Sequence, residues 1–357
     1  MRAVGSLLFV CSVLCLRVRR PSRPHRGLLV VKAQSRPTLD DCLRESGVAE
    51  EVGAVIRSFA EASVVIADRL STATITGAIG SLEQVAGDDS TDRDRQKKLD
   101  VIANEVVRQS LIDSGAVFAY ASEEEDDIQP LKTESSSVFV AFDPLDGSSN
   151  IDCASPTGTI FGVYRNANIS ELRGRESMVA AGYILYSSST EYVVSLAGRP
   201  VQGFTLDPHS NRFLLSRESI LVPAHGPYYS LNEGRSADWP EGLSAYINCV
   251  KNGRGRQQGV RYSLRYVCSL VADVHRTLLY GGWAGNPRAH LRLLFEAAPL
   301  AFIMENAGGR GSDGVVDLLD VAPSKVRHRL PVFLGSKDDI DELLAYGDVQ
   351  QTKVGKY

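Results

Sequence analysis

The chain lacks several features that would settle its class at once. It has no Cys-x-x-Cys pair. Cys42, Cys153, Cys249 and Cys268 stand alone at irregular spacing, and Cys11 and Cys15 fall near the start. Such a pattern excludes a zinc ribbon and a disulfide-stapled scaffold, leaving reduced thiols as the expectation. Beyond the first segment no apolar run is long enough to span a membrane. There is no internal repeat and no basic excess. All eight Lys and Arg residues before Asp40 fall in an acid-free stretch, and from Asp40 onward 31 basic face 43 acidic side chains. An acidic body of about −12 argues against nucleic acid as a ligand and suits a protein that holds divalent cations.

The basic leader itself reads as a targeting segment. Leu7 to Leu16 is an apolar stretch of signal-peptide length, followed by Arg17-Val18-Arg19-Arg20-Pro21-Ser22-Arg23-Pro24-His25-Arg26. A signal-like stretch followed by a transit-like one is similar to the bipartite presequences of plastids of secondary origin. A simple secretory signal or an unstructured tail is the alternative. Residues 1–38 are therefore set apart as a presequence. The body divides into 39–221, 222–348 and a tail, 349–357, with a plastid location expected and a cytoplasmic one as alternative.

What the body does contain is Phe142-Asp143-Pro144-Leu145-Asp146-Gly147-Ser148-Ser149-Asn150-Ile151-Asp152. Two carboxylates three residues apart can converge on one hard cation, with the Leu145 carbonyl between them as a further oxygen. Gly147-Ser148-Ser149 lets successive backbone N–H groups approach an anion. Asp-Pro and Asp-Gly also favour plain surface turns. The apolar run Val138 to Phe142 weighs against that, since it reads as a buried strand carrying the acids to a sheet edge.

Elsewhere, Thr38 to Ile56, Val55 to Leu70 and Lys98 to Ser114 show helical spacing. Phe118 to Ala121 reads as a strand, and Thr159 to Tyr164, Val179 to Tyr186 and Glu191 to Leu196 as antiparallel strands. Leu291 to Ala307 reads as a long apolar helix carrying Glu296. A glutamate in such a helix needs a partner, either a cation or Arg292 one turn back. Glu123-Glu124 and Asp100 are also readable as a solvated charge run and a helix-dipole acid. Helices and strands alternate without a strict βαβ order, so a layered α/β fold is expected.

In order along residues 40–348, several segments together resemble the class I fructose-1,6-bisphosphatases of the Mg-dependent, lithium-sensitive sugar phosphatase superfamily. They are Gln96-Lys97-Lys98-Leu99-Asp100-Val101, Ser122-Glu123-Glu124, Asp143 to Asp152, Gly158 to Gly162, Val179 to Tyr183, Ser230 to Gly234, Arg265-Tyr266, Val271 to Leu278 and Leu291 to Leu294. The resemblance implies a layered α-β-α-β-α fold of two tightly packed halves with mixed sheets. It implies hydrolysis of the 1-phosphate of fructose 1,6-bisphosphate with two or three Mg ions (Mn as alternative), and a homo-oligomer, by family a tetramer. It makes Glu123, Glu124, Asp143, Asp146, Glu296 and the Leu145 carbonyl metal ligands. Asp94, Asp100 and Glu124 become candidates for activating water. Asp146, Gly147, Ser148, Ser149 and Arg292 surround the scissile phosphate, with Ser269 and Leu270 against the sugar. Asn232, Arg265 and Tyr266 match the clamp on the distal phosphate, where the family's arginine comes from a neighbouring subunit.

The chain departs from the family at that distal end. Arg235, Asn286 and His290 stand where tyrosine, tyrosine and lysine are usual, and Arg235 is expected to compensate by binding phosphate bidentately. Sedoheptulose 1,7-bisphosphatase, a broader sugar phosphatase, and a phosphosugar-binding regulator are the alternative readings. The AMP-site loop and the cysteine-bearing regulatory insertion of relatives have no counterpart here, so indifference to AMP and to dithiols is expected.

Overall fold

The computed structural model describes residues 36–78, 98–131, 136–165, 168 and 171–352. Asp94 and almost all of the leader lie outside them. The chain starts helical. Thr38 caps α1 (Leu39–Ser46) with a reciprocal pair of hydrogen bonds to Asp41, and Gly47, at φ +64°, ends it. The next helix, α2 (Glu50–Thr76), runs 27 residues. The break therefore falls at Gly47, not near Val55, and Thr72 to Thr76 are helical rather than loop. Then comes α3 (Lys98–Ser114), with the bounds that its spacing indicates. Arg36 to Thr38, set apart with the leader above, belong to the folded body. Leu215 N donates to the Pro37 carbonyl at 2.8 Å and Arg36 Nη1 donates to the Leu215 carbonyl at 3.0 Å.

Two sheets follow. The first uses β1 (Ala119–Ser122), β2 (Gln129–Pro130), β3 (Val138–Asp146), β4 (Thr157–Arg165), β5 (Met178–Tyr186), β6 (Thr190–Leu196), β7 (Val201–Asp207) and β8 (Arg212–Ile220), in the order β2-β1-β3-β4-β5-β6-β7-β8. A single short turn of helix, α4 (Gly174–Ser177), precedes β5. All neighbours pair antiparallel except β1 and β3. The second sheet contains β9 (Tyr228–Ser230), β10 (Ser263–Leu264), β11 (Trp283–Arg292), β12 (Arg310–Ser312) and β13 (Arg329–Gly335), ordered β10-β9-β11-β13-β12. Its helices are α5 (Glu241–Lys251), α6 (Leu270–Tyr280), α7 (Ala298–Asn306) and α8 (Lys337–Leu344).

Side-chain alternation sorts these elements into five layers. On β3, Val138, Val140 and Phe142 face α1, α2 and α3, where Phe59 stacks on Phe161 with ring centroids 4.0 Å apart. Phe139 and Ala141 face the other way, toward α6, α7 and Leu330 to Leu334. The far side of the second sheet buries Trp283 and Phe333 under α5 and α8. The order is α-β-α-β-α, as the sequence indicates. The acid-bearing strand β3 is interior rather than at a sheet edge, since it pairs with β1 on one side and β4 on the other. The acids instead sit at its carboxyl end.

One buried acid belongs to packing rather than chemistry. Asp339 of α8 is 1% exposed and accepts from Gly226 N at 2.9 Å and Tyr262 Oη at 2.5 Å. Burial pushes its pKa up to about 6, against the pull of those hydrogen bonds. Because the folded value lies above the unfolded one, its contribution to stability is full at low pH and is lost as pH rises through about 6. Asp339→Asn keeps the shape without the charge. Its melting temperature relative to wild type should therefore climb between about pH 4 and pH 7, by the equivalent of at most about 3 kcal/mol. A flat or falling difference would refute this account of Asp339.

Candidate active site

The parallel pairing of β1 with β3 builds one wall. Ser122 lies opposite Phe142, so the next residues, Glu123 and Asp143, leave the two strands side by side, and Glu123 N donates to the Phe142 carbonyl at 3.0 Å. Ser122 Oγ fixes the corner by donating to Asn104 Oδ1 of α3 at 2.6 Å and accepting from Glu124 N at 3.2 Å. Beyond Asp143 the β3–β4 ladder is interrupted until Asp146. Pro144 has no N–H to donate to a ladder. Thr159 Oγ1 donates to the Pro144 carbonyl at 2.8 Å, and Leu145 N donates to Asp143 Oδ1 at 2.9 Å. The bend thus brings both acids to the carboxyl end of β3.

The other wall comes from the second sheet. The sequence pattern suggests one helix from Leu291, but Leu291 and Arg292 still pair with Leu330 and Arg329 on β13. A single π-helical turn, Leu293–Ala297, follows, and only then α7. A short apolar strand end and a buried helix share the same hydropathy, so periodicity could not separate them. The π turn, a feature common at functional sites, presents Glu296 inward. Its Oε2 accepts from the backbone N of Arg292 at 2.6 Å.

Glu123, Asp143 and Glu296 converge, with carboxylate oxygens all within 4.8 Å of one another. Asp143 and Glu296 are almost fully buried. Burial first, then the neighbouring acids, pushes both well above the usual carboxylate range. Asp146 is raised to about 6 by burial, opposed by its hydrogen bonds from Val271 N at 2.9 Å and Ser269 Oγ at 2.7 Å. Among the described residues one cation, Arg292, faces this crowd. The Arg292 guanidinium pairs with Glu123 and lies 3.8 Å from Glu296. Burial opposes its charge, but the acids outweigh burial and raise its pKa. Several acids against one arginine leave negative charge uncompensated, and the donors are all oxygens. That set fits a hard divalent cation.

Next to the acids, Gly147 takes φ +74° and opens a 3₁₀ turn, Ser148–Cys153. A side chain there would meet Ser269 Cβ at 2.9 Å. Asn150 locks the turn by donating to the carbonyls of Pro156 at 3.0 Å and Val267 at 3.1 Å. Ser269 caps α6 and is fully buried, so its hydroxyl is committed to Asp146 and Ala272 N. Leu270 is half-buried beside it.

Not every residue nominated from the sequence joins this group. Asp100 is buried in the first turn of α3 and, like Glu124 and Asp146, is not one of the converging three. Asn232, Arg235 and Tyr266 do line one cleft, open to solvent. Arg265 turns away from it, its guanidinium 5.3 Å from the Tyr228 ring centroid, and the exposed His290 is not part of its lining. Further residues line the cleft without having been nominated, among them Trp239, Arg288 and Gln351. Gln351 lies in the segment read as a tail, yet it is 5% exposed and its N–H donates to the Pro287 carbonyl at 2.7 Å. Arg288 follows a proline in a stretch with no recognisable motif, and only its charge in an acidic body could have drawn attention to it.

Comparison with known proteins places the whole arrangement. Family models for the fructose-1,6-bisphosphatase N-terminal and C-terminal domains match residues 34–218 and 222–348. The chain is 42% identical to the chloroplastic fructose-1,6-bisphosphatase of Brassica napus, over 83% of this chain and 77% of that one. It is also 42% identical to the cytosolic enzyme of the same plant, over 75% and 82% respectively. The crystal structure of Leishmania major fructose-1,6-bisphosphatase in holo form superposes with a TM-score of 0.81 at 34% identity, covering 88% of this chain and 99% of that one. With carboxylates from both sheets gathered beside a glycine turn, and with the two domain models together matching residues 34–218 and 222–348, this chain belongs to the fructose-1,6-bisphosphatase family.

Proposed function

We infer that the chain hydrolyses fructose 1,6-bisphosphate to fructose 6-phosphate and phosphate. The observation that carries this reading is the convergence of Glu123, Asp143 and Glu296 beside Gly147. In the reaction, water oxygen bonds to phosphorus, the bond from phosphorus to the C1 oxygen breaks, and the leaving alkoxide takes up a proton. Glu123, Asp143 and Glu296 would hold the cations, with Glu124, Asp146 and the Leu145 carbonyl as further ligands. Mg, as two or three ions, supplies charge neutralisation and an acidified water when bound. Gly147, Ser148 and Ser149 hold the phosphate through backbone N–H groups, and Arg292 adds a positive charge next to it. The attacking water gives its proton to a carboxylate, for which Glu124, Asp100 and Asp94 are the candidates. At the other end Asn232, Arg235 and Tyr266 take the distal phosphate. Arg265, exposed and turned from its own cleft, is suited to reach a neighbouring subunit in a homo-oligomer.

The relatives do not favour the sedoheptulose, broad-specificity or binding-only alternatives. Among the described residues no helix is long and apolar enough to cross a membrane. We read the leader as a plastid presequence, which a fluorescent fusion of residues 1–38 would test by its destination.

The direct test is phosphate release by the processed protein on a panel of sugar mono- and bisphosphates. Fructose 1,6-bisphosphate should give the highest kcat/KM, and EDTA should abolish turnover. Full activity in EDTA, or a better sugar elsewhere in the panel, would overturn the reading.

A further inference from the structure

We propose that Arg288 is a specificity-determining residue of this chain, holding the substrate's distal phosphate together with Arg235. The inference rests on the bisphosphatase reading above and concerns a residue that no motif assigns.

The backbone delivers Arg288 to the cleft. Strand β11 pairs with β13 at Trp283 to Asn286 and again at Leu291 and Arg292. Between those stretches, residues 287–290 of β11 stand opposite the single residue Pro331. Proline offers no ladder N–H, so pairing lapses there and the longer strand bulges out. The bulge is fastened at both ends. Arg288 N donates to Asn286 Oδ1 at 3.1 Å, and the Pro287 carbonyl accepts from Gln351 N at 2.7 Å. Arg288 is thus held at the rim of a fixed cavity.

The cavity has the chemistry of an anion site. Two guanidiniums, Arg235 and Arg288, and the amide or hydroxyl groups of Asn232, Asn286, Tyr266 and Gln351 surround it, and among the described residues no carboxylate lines it. The body is otherwise acidic, so two cations lining one cleft are conspicuous. A guanidinium presents paired N–H donors that match phosphate oxygens bidentately, which a lysine cannot do. The charge of Arg288 is felt at the Tyr266 hydroxyl, where it counters burial and nearby negative groups. Arg288 and Tyr266 thus line the same cleft within electrostatic reach of one another. Because Arg265 lines none of this cleft, the positive charge that the chain supplies to it comes from Arg235 and Arg288.

The experiment compares wild type, Arg288→Ala and Arg288→Lys in the full processed chain on two substrates, fructose 1,6-bisphosphate and fructose 1-phosphate. Both carry the same scissile ester, and only the first has a distal phosphate. Arg288→Ala should raise KM for the bisphosphate at least about 10-fold with kcat within about 2-fold, the pattern of lost uniform binding. KM for fructose 1-phosphate should not change, which also shows that the variant is folded. Arg288→Lys should recover part of the KM loss, since it restores charge without the fork. An equal KM rise on both substrates, a fall in kcat alone, or no change would overturn the proposal while leaving the phosphatase reading intact. A wild-type protein that hydrolyses neither substrate would overturn the phosphatase reading, and this inference with it.

Discussion

Asp143→Asn should lower kcat at least about 100-fold and, in EDTA, should raise the melting temperature. The loss has the scale of single-group deletions from preorganised electrostatic sites. Asp143 is 4% exposed, and its carboxylate shares a space less than 5 Å across with Glu123 and Glu296. Asn keeps the shape and one oxygen but removes the charge that a divalent cation needs. The same change relieves repulsion within the metal-free cluster, where burial and three neighbouring acids already oppose ionisation of Asp143. Activity and stability should therefore move in opposite directions. Added Mg should raise the melting temperature of wild type, through binding to the native state alone, far more than that of the variant. Turnover near wild type, or an undiminished Mg-dependent rise in melting temperature, would refute a cation site at these three acids.

Gly147→Ala should cost at least about 100-fold in kcat/KM, because displacement of about 1 Å at a reacting centre carries that penalty. Gly147 combines φ +74° with a neighbour 2.9 Å from where a Cβ would stand, and that neighbour is Ser269 Cβ. Ser269 cannot simply yield, since its hydroxyl holds Asp146 and its backbone begins α6. The strain would pass to an acid of the site and to the phosphate turn together. Gly198 is the control. It has φ +69° and nothing within 4 Å, so Gly198→Ala should cost about 1 kcal/mol of stability and leave kcat/KM unchanged. Equal activity losses in the two variants would show that backbone strain, not the contact with Ser269, matters.

The site was legible where its residues are close in sequence. Asp143, Asp146 and Gly147 share one run, and the apolar stretch before them has strand character, so a buried strand ending in acids is legible there. The α3 helix is legible from Leu99, Ile102, Val106 and Leu111 at helical spacing, although the face it buries carries Ala103 and Val107 in place of the half-buried Ile102 and Val106. The α1–α2 boundary was missed because apolar spacing continues across it, although Gly47 carries the mark of a helix end. Glu296 was noticed for its apolar surroundings, but its π turn depends on β13 pairing through Arg292, a contact from another part of the chain. The interior position of β3 depends on strand order, which no local pattern encodes. Arg288 and Gln351 meet only because a bulge and a terminal segment pack together.

The cluster draws its members from two different sheets, and this bears on how the protein is made. Glu123 and Asp143 end neighbouring strands of the first sheet, whereas Glu296 and Arg292 emerge from the end of the second. During synthesis the first two acids leave the ribosome long before the third. A nascent chain with only its first sheet formed thus carries two unpaired acids and no complete seat for an ion. Competence for divalent cations is then a property of the finished molecule, gained in the step that docks the second sheet. An ion bound there joins parts of the chain far apart in sequence, so it should also slow their separation, and starving a cell of the metal would shorten the enzyme's lifetime as well as its turnover.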